Sequence, residues 1–227
     1  MIKIWLFYAL NVTAMIHIKY TRLEDTNDAA LVERYLPLLP KGMQDKIRRY
    51  RRIQDAQASL LGKLLLLEAL KPFGYGQTIL GQLKYNEQNR PYLDAPVDFN
   101  ISHSHEYVVT VASEQGRVGI DIERMHPIKL SEFAAIFTTK EMDQIAAAPD
   151  VEHAFFTLWT QKEALIKGDG RGMSLPLQEI VVNDNSAYIE GQQWFLTPIA
   201  IMEGYLAHLA TDWIVEMEGL IVERVQY

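Results

Sequence analysis

Residues 99–123 have the sequence FNISHSHEYVVTVASEQGRVGIDIE, and this stretch decides the fold class. Its apolar and β-branched runs at 99–102, 107–112 and 117–123 are separated by short polar breaks, which predicts three successive strands. Before them, residues 44–70 have a helical pattern, and Pro72 and Gly74 end this predicted long core helix. Its apolar face consists of Ile53, Ala56, Leu60, Leu61, Leu64, Leu67 and Leu70. The order of strands, long helix and strands occurs twice along the chain, which predicts two similar α+β halves, residues 1–116 and 117–227.

The remaining pattern completes both halves. In the first half, alternation predicts strands at 2–8, 16–20 and 79–85, and helical spacing predicts a helix at 25–36. In the second half, the same signals predict helices at 131–137, 140–147 and 151–167 and strands at 179–182, 188–190, 194–196 and 205–211. Because no low-complexity linker separates the halves, we expect them to pack tightly against each other.

The composition excludes several classes of protein. The chain has 227 residues, of which 48% are hydrophobic and 22% charged, as in an ordinary globular protein. It contains no cysteine, which excludes disulfides, thiolate zinc sites and a cysteine nucleophile. A formal net charge of −7 argues against nucleic-acid binding. The apolar opening at residues 2–10 is too short to span a bilayer, so we interpret it as a buried first strand of a cytoplasmic protein rather than a cleaved signal peptide.

Two carboxylates stand two residues apart in Val118-Gly119-Ile120-Asp121-Ile122-Glu123. The period of a strand places Asp121 and Glu123 on one face and Ile120 and Ile122 on the other. Neighbouring carboxylates repel each other unless a cation or hydrogen-bond donors neutralise them, and oxygen ligands alone suit Mg²⁺. The alternative is an edge strand that exposes both acids to solvent, and this motif alone does not decide between the two.

A second group lies in Trp159-Thr160-Gln161-Lys162-Glu163-Ala164-Leu165-Ile166-Lys167. Glu163 and Lys167 are four residues apart and therefore project from one helix face. On their own they would be interpreted as a surface ion pair. The three glycines in residues 168–172 favour a ligand-binding role, because such a segment is costly to order in a plain connection.

A strand-end histidine and two groups of cations indicate an anion-binding site. Ser102 and His103 can donate hydrogen bonds to phosphate oxygens, although a lone histidine is more often structural. Residues 41–52 carry six lysines and arginines against one acid, which is either a solvated helix face or an anion-binding patch. Arg90 adds an exposed cation after a turn. P-loop, dinucleotide-binding and zincin motifs are absent, so the remaining groups favour phosphoryl-type chemistry.

Taken together, these motifs resemble the Sfp-type 4′-phosphopantetheinyl transferases. The signature of that family pairs a Gly-Ile-Asp-x-Glu strand with a later Trp-x-x-Lys-Glu-Ala/Ser-x-x-Lys helix, and residues 119–123 and 159–167 carry both. The chain also has the family-like segments Arg-Pro-Tyr (90–92), Phe-Asn-Ile-Ser-His-Ser (99–104), Phe-Thr-x-x-Glu (137–141) and Gly-x-Gly-Met-Ser-Leu-Pro (170–176). The resemblance spans residues 44–182.

The resemblance implies Mg²⁺-dependent transfer of the 4′-phosphopantetheine arm of coenzyme A to a serine of an apo acyl or peptidyl carrier protein, with release of 3′,5′-ADP. It assigns Asp121, Glu123 and Glu163 as metal ligands, with Mn²⁺ as the alternative ion. Glu163 becomes the general base toward the carrier serine, and Lys167 stabilises charge on the pyrophosphate. Carriers of this kind serve fatty-acid, polyketide and nonribosomal-peptide biosynthesis.

The resemblance also implies how coenzyme A is held. The implied contacts are Lys46 and Arg90 at the 3′-phosphate, Ser59 and Ser102 along the nucleotide, and His103 and Lys167 at phosphate oxygens. Because Met43 stands where the family has a lysine, we expect part of the basic contact to come from Arg48 or Arg49.

The implied fold is a monomer of two similar halves related by a pseudo-twofold axis, with the active site in the cleft between them. The carrier protein would dock at the rim, where residues 41–52 are equally suited to an acidic carrier and to the nucleotide. Three alternatives remain open at this point: a non-catalytic protein that binds coenzyme A or the carrier, a Mg²⁺-dependent phosphohydrolase, and a purely structural domain. Because the chain keeps both the metal carboxylates and the helix lysine, we rank the transferase first.

Overall fold

The structure, a computed structural model, describes residues 15–23 and 29–227. Its strands are β1 (Ile16–Arg22), β2 (Lys84–Tyr85), β3 (Pro91–Tyr92), β4 (Asp98–Ser104), β5 (Tyr107–Ser113), β6 (Val118–Arg124), β7 (Val182–Asn183), β8 (Ser186–Ile189), β9 (Gln192–Pro198), β10 (Tyr205–Thr211) and β11 (Leu220–Arg224). The first sheet has the order β11-β1-β5-β4, and the second has the order β6-β10-β9-β8-β7. β2 and β3 form a separate hairpin. All pairs are antiparallel except β1 with β11.

Among the described residues, five α-helices accompany these strands: α1 (Ala29–Tyr35), α2 (Lys41–Ile47), α3 (Ile53–Leu70), α4 (Thr139–Ala146) and α5 (Val151–Asp169). Local chemistry sets their ends. Thr138 and Glu141 form a capping box at the start of α4, and the carboxylate of Asp150 accepts from the third residue of α5. α5 stops at Gly170, whose φ of 89° is left-handed and suits glycine.

Each long helix packs on one sheet. α3 buries leucines such as Leu61 and Leu65 against β5 of the first sheet, together with Phe99. α5 lies on β6 and β10 of the second sheet, where Leu165 packs near Trp194. The opposite face of β6 is also buried, because Ile120 and Ile122 belong to a core shared with β1 and β5.

The two sheets meet where β4, an edge of the first, runs beside β6, an edge of the second. We call this contact the seam. Alternate side chains of β4 accept hydrogen bonds from main-chain N–H groups of β6, namely Asp98 from Val118 at 2.9 Å, Asn100 from Ile120 at 3.2 Å and Ser104 from Arg124 at 3.2 Å. The seam therefore joins the side chains of one strand to the main chain of the other.

The α+β class is confirmed, as are most of the predicted elements. The structure contains the strands predicted at 16–20, 99–102, 107–112, 117–123 and 205–211 and the helices predicted at 140–147 and 151–167. The short strands β7, β8 and β9 overlap their predicted positions, and α1 overlaps the helix predicted at 25–36. The strand predicted at 2–8 and the first residues of the helix predicted at 25–36 lie outside the described residues.

Three predicted elements are wrong. The helix predicted over 44–70 is two helices, because residues 48–52 are all exposed and carry four arginines that have no place against the sheet. Most of the strand predicted over 79–85 is a 3₁₀ turn at Gln77–Gln82. Its adjacent Ile79 and Leu80 are both buried, which an alternating strand does not allow. The helix predicted over 131–137 is a single 3₁₀ turn at Leu130–Phe133, since the capping box restarts the chain as α4.

The last strand changes how the predicted halves connect. β11 pairs with β1 in the first sheet, although its residues belong to the half predicted as 117–227. The boundary near Gly116 and the pseudo-twofold relation stay predictions. Within residues 15–23 and 29–227, no helix is long and apolar enough to cross a membrane.

Candidate active site

α5 approaches β6 so closely that two glycines are required. A Cβ atom at Gly119 would stand 2.0 Å from the carbonyl oxygen of Ala164 and 2.4 Å from the nitrogen of Gly168. A Cβ atom at Gly168 would stand 2.7 Å from the ring of Trp194. Any larger residue at Gly119 would push the helix away from the strand. This glycine therefore sets the distance between the functional side chains of α5 and those of β6.

Ser102, Asp121 and Lys167 form one hydrogen-bonded cluster across the seam. Ser102 on β4 and Asp121 on β6 are buried, while the side chain of Lys167 on α5 is 29% exposed. The Lys167 ammonium donates to Asp121 Oδ1 at 2.5 Å and to Ser102 Oγ at 2.8 Å, and the Ser102 hydroxyl donates to Asp121 Oδ1 at 2.8 Å. The cluster thus joins one side chain from each of three elements.

Glu123 lies on the same face of β6 as Asp121, as the alternation predicts. Its Oε2 accepts from Ser104 Oγ at 2.7 Å. Burial raises the pKa of Glu123, and the neighbouring carboxylate of Asp121 raises it further. The edge-strand alternative with solvent-exposed acids does not describe this site, since Asp121 is only 2% exposed.

Glu163 on α5 completes the group of acids. Burial raises its pKa, Lys167 opposes this, and the charges of Asp121 and Glu123 raise it again. The second carboxylate oxygen of Asp121 is buried and has no hydrogen-bond partner among the described residues. In the part of the chain that the structure describes, no three His, Asp or Glu side chains are close enough together to hold a metal ion, and the cation beside Asp121 is the Lys167 ammonium. The three acids therefore share one electrostatic neighbourhood, and their role as a ligand set stays a prediction.

A cavity of about 260 Å³ lies between α3 and β4. Two residues predicted to contact coenzyme A, Ser59 and His103, line it, and so does Lys63. Burial, with a smaller effect of the Lys46 ammonium, lowers the pKa of Lys63 to about 8. No ion pair of the described residues includes Lys63. The Asp55 carboxylate also lines the cavity, but it forms no ion pair with Lys63. A partly buried cation without an ion-pair partner among the described residues, beside a hydroxyl and an imidazole, is suited to bind an anion.

Lys63 is a functional candidate that the sequence analysis missed. It follows Ser59 by four residues on α3, so the two side chains project from one face of the helix. This spacing was the signal that could have found it, but the surrounding leucines are typical of an apolar core helix.

The other residues predicted to contact phosphate do not line the cavity between α3 and β4. Lys46 on α2 is exposed, and its ammonium lies 5.6 Å from the ring centroid of Tyr85. Arg49 is exposed in the segment after α2 and does not line the cavity. Arg90 lies on the other side of Lys167, where its guanidinium forms a salt bridge with Asp98 and is only 16% exposed.

Comparisons with known proteins agree with this geometry. A family model described as 4′-phosphopantetheinyl transferase superfamily matches residues 117–210, and one described as 4′-phosphopantetheinyl transferase, N-terminal, matches residues 28–115.

Individual relatives give the same result. The chain is 37% identical to the 4′-phosphopantetheinyl transferase gsp of Aneurinibacillus migulanus, over 64% of this chain and 62% of that protein. It is 32% identical to 4′-phosphopantetheinyl transferase Sfp of Bacillus subtilis, over 66% of this chain and 68% of Sfp. It is 33% identical to a putative 4′-phosphopantetheinyl transferase of Haemophilus influenzae, over 75% of this chain and 76% of that protein. With matches in both halves and the motif residues gathered at one site, the chain belongs to the 4′-phosphopantetheinyl transferase superfamily and is a transferase.

Proposed function

We propose that this protein transfers the 4′-phosphopantetheine arm of coenzyme A to a serine of an apo acyl or peptidyl carrier protein and releases 3′,5′-ADP. The observation that carries the proposal is the cluster of Ser102, Asp121 and Lys167 beside the acid Glu163. Phosphoryl transfer to a hydroxyl needs a base for the proton of the nucleophile and a cation for the charge on the leaving group. This site offers both groups within one turn of α5.

The chemistry of the acids suits a divalent cation, although in the described residues no three of them stand close enough together to hold one and the Lys167 ammonium lies beside Asp121. Asp121 has a buried carboxylate oxygen that no other described residue contacts, and the pKa values of Glu123 and Glu163 are raised by burial and by neighbouring negative charge. A bound cation would relieve this repulsion, and an all-oxygen set suits Mg²⁺, with Mn²⁺ as the alternative. Asp121, Glu123 and Glu163 would hold the ion, which when bound neutralises the pyrophosphate and polarises the phosphorus under attack.

Glu163 acts as the general base in this proposal. Burial raises the pKa of Glu163 in the metal-free protein, which favours a carboxylate that can accept a proton. As the serine oxygen of the carrier forms its bond to the phosphorus of the pantetheine arm, the serine proton passes to Glu163. The bond from that phosphorus to the bridging oxygen breaks, and the electron pair leaves with 3′,5′-ADP.

Lys167 stabilises the negative charge that develops on the leaving group. A lysine ammonium has three N–H donors, and two of those of Lys167 go to Asp121 and Ser102. The third is left for a phosphate oxygen, and the partial exposure of the side chain gives the substrate access to it. Holding the ammonium in place before the reaction favours the transition state.

Coenzyme A would extend from this cluster along β4. We propose that His103 and Lys63 bind phosphate oxygens in the cavity between α3 and β4 and that Ser59, which lines the same cavity, and Ser102 lie along the nucleotide. Lys46 and Arg49 would add positive charge at its entrance. The contact of Arg90 with the 3′-phosphate stays a prediction. We further propose that the protein works as a cytoplasmic monomer with the active site in the cleft between its halves.

Intact-protein mass spectrometry tests the proposal. An apo acyl carrier protein is incubated with this protein, coenzyme A and Mg²⁺, beside an EDTA control and a carrier whose acceptor serine is replaced by alanine. We expect a mass gain of one phosphopantetheine arm that EDTA, the serine substitution and Glu163→Gln each abolish. Phosphate release from coenzyme A without a carrier would instead indicate a phosphohydrolase. If coenzyme A binds but no carrier gains mass, the protein is a non-catalytic binder and the proposal is wrong.

A further inference from the structure

Arg90 is held in place by a tight turn. The turn between β2 and β3 spans residues 86–90, and the side-chain oxygen of Asn86 accepts from the main-chain N–H of Arg90 at 2.7 Å. Asn86 also donates through its side-chain nitrogen to the carbonyl oxygen of Gly170 at 3.0 Å. This turn is therefore fastened to the chain just beyond the last residue of α5.

The guanidinium of Arg90 joins three elements. Its Nε donates to the carbonyl oxygen of Lys167 on α5 at 2.9 Å. Its two terminal nitrogens donate to the two carboxylate oxygens of Asp98 on β4 at 3.0 and 2.7 Å, and one of them also donates to the carbonyl oxygen of Val118 on β6 at 3.2 Å. Asp98 in turn accepts from the main-chain N–H of Val118.

The same three elements carry the active-site cluster. The side chain of Lys167 contacts Ser102 on β4 and Asp121 on β6, while the main chain of Lys167 contacts Arg90. Lys167 is thus linked to both strands of the seam in two ways. Its ammonium bonds to them directly, and its carbonyl oxygen is linked to them through Arg90. A Cβ at Gly170, which has a φ of 89°, would stand 2.8 Å from the Arg90 side chain, so the contact is closely packed.

We infer that Arg90 is a positioning residue, which fixes the end of α5 against β4 and β6 and so sets the place of the Lys167 ammonium. Its planar fork satisfies Asp98 and two carbonyl oxygens at once, which a lysine cannot do. This role differs from a contact with the 3′-phosphate of coenzyme A, because the guanidinium is already engaged by protein groups. The inference rests on the proposed function in so far as Lys167 serves catalysis.

Two variants and a matched control test it. Arg90→Met removes every donor, and Arg90→Lys keeps a positive charge beside Asp98 in case the first variant does not fold. Arg171→Met is the control, since Arg171 forms ion pairs near the same end of α5, with Asp169 and Glu190, and no recorded bond of it reaches Lys167. For each protein we would measure the melting temperature, kcat, KM and Kd for coenzyme A, and the preference for coenzyme A over 3′-dephospho-coenzyme A.

In both Arg90 variants we expect kcat to fall about 10- to 100-fold, because small displacements of a catalytic group are costly. The Kd for coenzyme A and the preference for the 3′-phosphate should stay as in the unsubstituted protein, and Arg171→Met should leave all of these values unchanged. Loss of the 3′-phosphate preference would make Arg90 a phosphate ligand and overturn the inference. A lower melting temperature with unchanged kcat would make it a stabilising residue only and overturn it as well.

A second readout does not depend on transfer. In protein labelled with ¹³C at lysine Cε, the Lys167 resonance, assigned with Lys167→Arg, should shift in both Arg90 variants and stay unchanged in Arg171→Met. If the unsubstituted protein transfers no arm, the proposed function fails, and this resonance still decides whether Arg90 positions Lys167. An unchanged resonance in the Arg90 variants would overturn the inference.

Discussion

The lysines of the two long helices differ in whether a carboxylate pairs with them. On α5, Lys162 is 1% exposed and bonds to Glu141 and to the carbonyl oxygen of Leu177, and Lys167 bonds to Asp121. On α3, Lys63 is partly buried, and no ion pair of the described residues includes it, although the Asp55 carboxylate lines the same cavity. The cations of α5 are therefore neutralised by carboxylates of the protein, whereas in the proposed function the cation of α3 is neutralised by a phosphate of the ligand. The proposed function thus assigns catalysis to α5 and part of the binding to α3.

The largest expected effect comes from breaking the pairing at the end of α5. Asp121→Ala should lower transfer about 1,000-fold or more, because it removes a proposed metal ligand and the partner that holds Lys167. The fold should persist, since Lys167 is partly exposed and can turn to solvent. Transfer assays and thermal unfolding check this. Asp212→Ala, which removes an ion pair with Arg117 at the far end of β10, is the control and should keep its transfer rate. Unfolding of Asp121→Ala would mean that Asp121 is structural.

The next effect concerns stability and tests the second ion pair of α5, between Lys162 and Glu141. Lys162→Met should destabilise the protein by about 3–5 kcal/mol, because it leaves the Glu141 carboxylate nearly buried without its cation. Denaturant unfolding measures the loss. Adding Glu141→Leu should recover much of it, since a buried pair can be replaced by apolar side chains. A Lys162→Met protein of normal stability would show that the pair contributes little to the fold.

The smallest effect should appear on α3, where one substitution should weaken coenzyme A binding and at the same time stabilise the free protein. Lys63→Met should weaken coenzyme A binding about 10- to 100-fold, because the buried cation is lost. The same substitution should stabilise the free protein at pH 7. One pKa unit corresponds to about 1.4 kcal/mol, so the lowering of the Lys63 pKa from 10.5 to about 8 limits this gain to about 3 kcal/mol. Calorimetric titration and thermal unfolding measure the two quantities.

The pH dependence of stability and of coenzyme A binding gives a second test of Lys63. Folding lowers the pKa of Lys63, so the unfolded chain binds more protons between pH 8 and 10.5, and stability should rise with pH across this window. Coenzyme A binding should instead weaken as the pH rises through about 8, because the phosphate needs the protonated amine. In Lys63→Met both contributions should disappear. Equal pH dependence in the two proteins would contradict the assignment of Lys63.

The sequence predicted best what depends on local periodicity. Alternation in residues 118–123 is enough to separate Asp121 and Glu123 from Ile120 and Ile122, and the capped, periodic α5 is found to within two residues. The break between α2 and α3 was not predicted, because the apolar helical pattern that starts at Ile53 directly follows a charged segment that the sheet does not cover. The strand β11 was not predicted either, since its place beside β1 depends on contacts with residues about 200 positions earlier.

The candidate site shows the same limit. Motif matching gathered Ser102, Asp121, Glu163 and Lys167, which the fold does bring into one neighbourhood. It gave no information on how Arg90 is engaged, because the contacts of its guanidinium come from β4, β6 and α5 together. Lys63 was not predicted for a related reason. In sequence it is a lysine within a run of leucines, and only the folded structure shows that it lines a cavity.

The seam also bears on association between molecules. An edge strand with free main-chain N–H groups is a template to which another chain can add a strand, and proteins must block such edges to avoid aggregation. β4 and β6 are both sheet edges, yet Asp98, Asn100 and Ser104 occupy outward N–H groups of β6. The side chains of the first sheet thus shield the edge of the second. Shortening these polar side chains would expose β6 to intermolecular strand pairing, even at positions that take no part in catalysis.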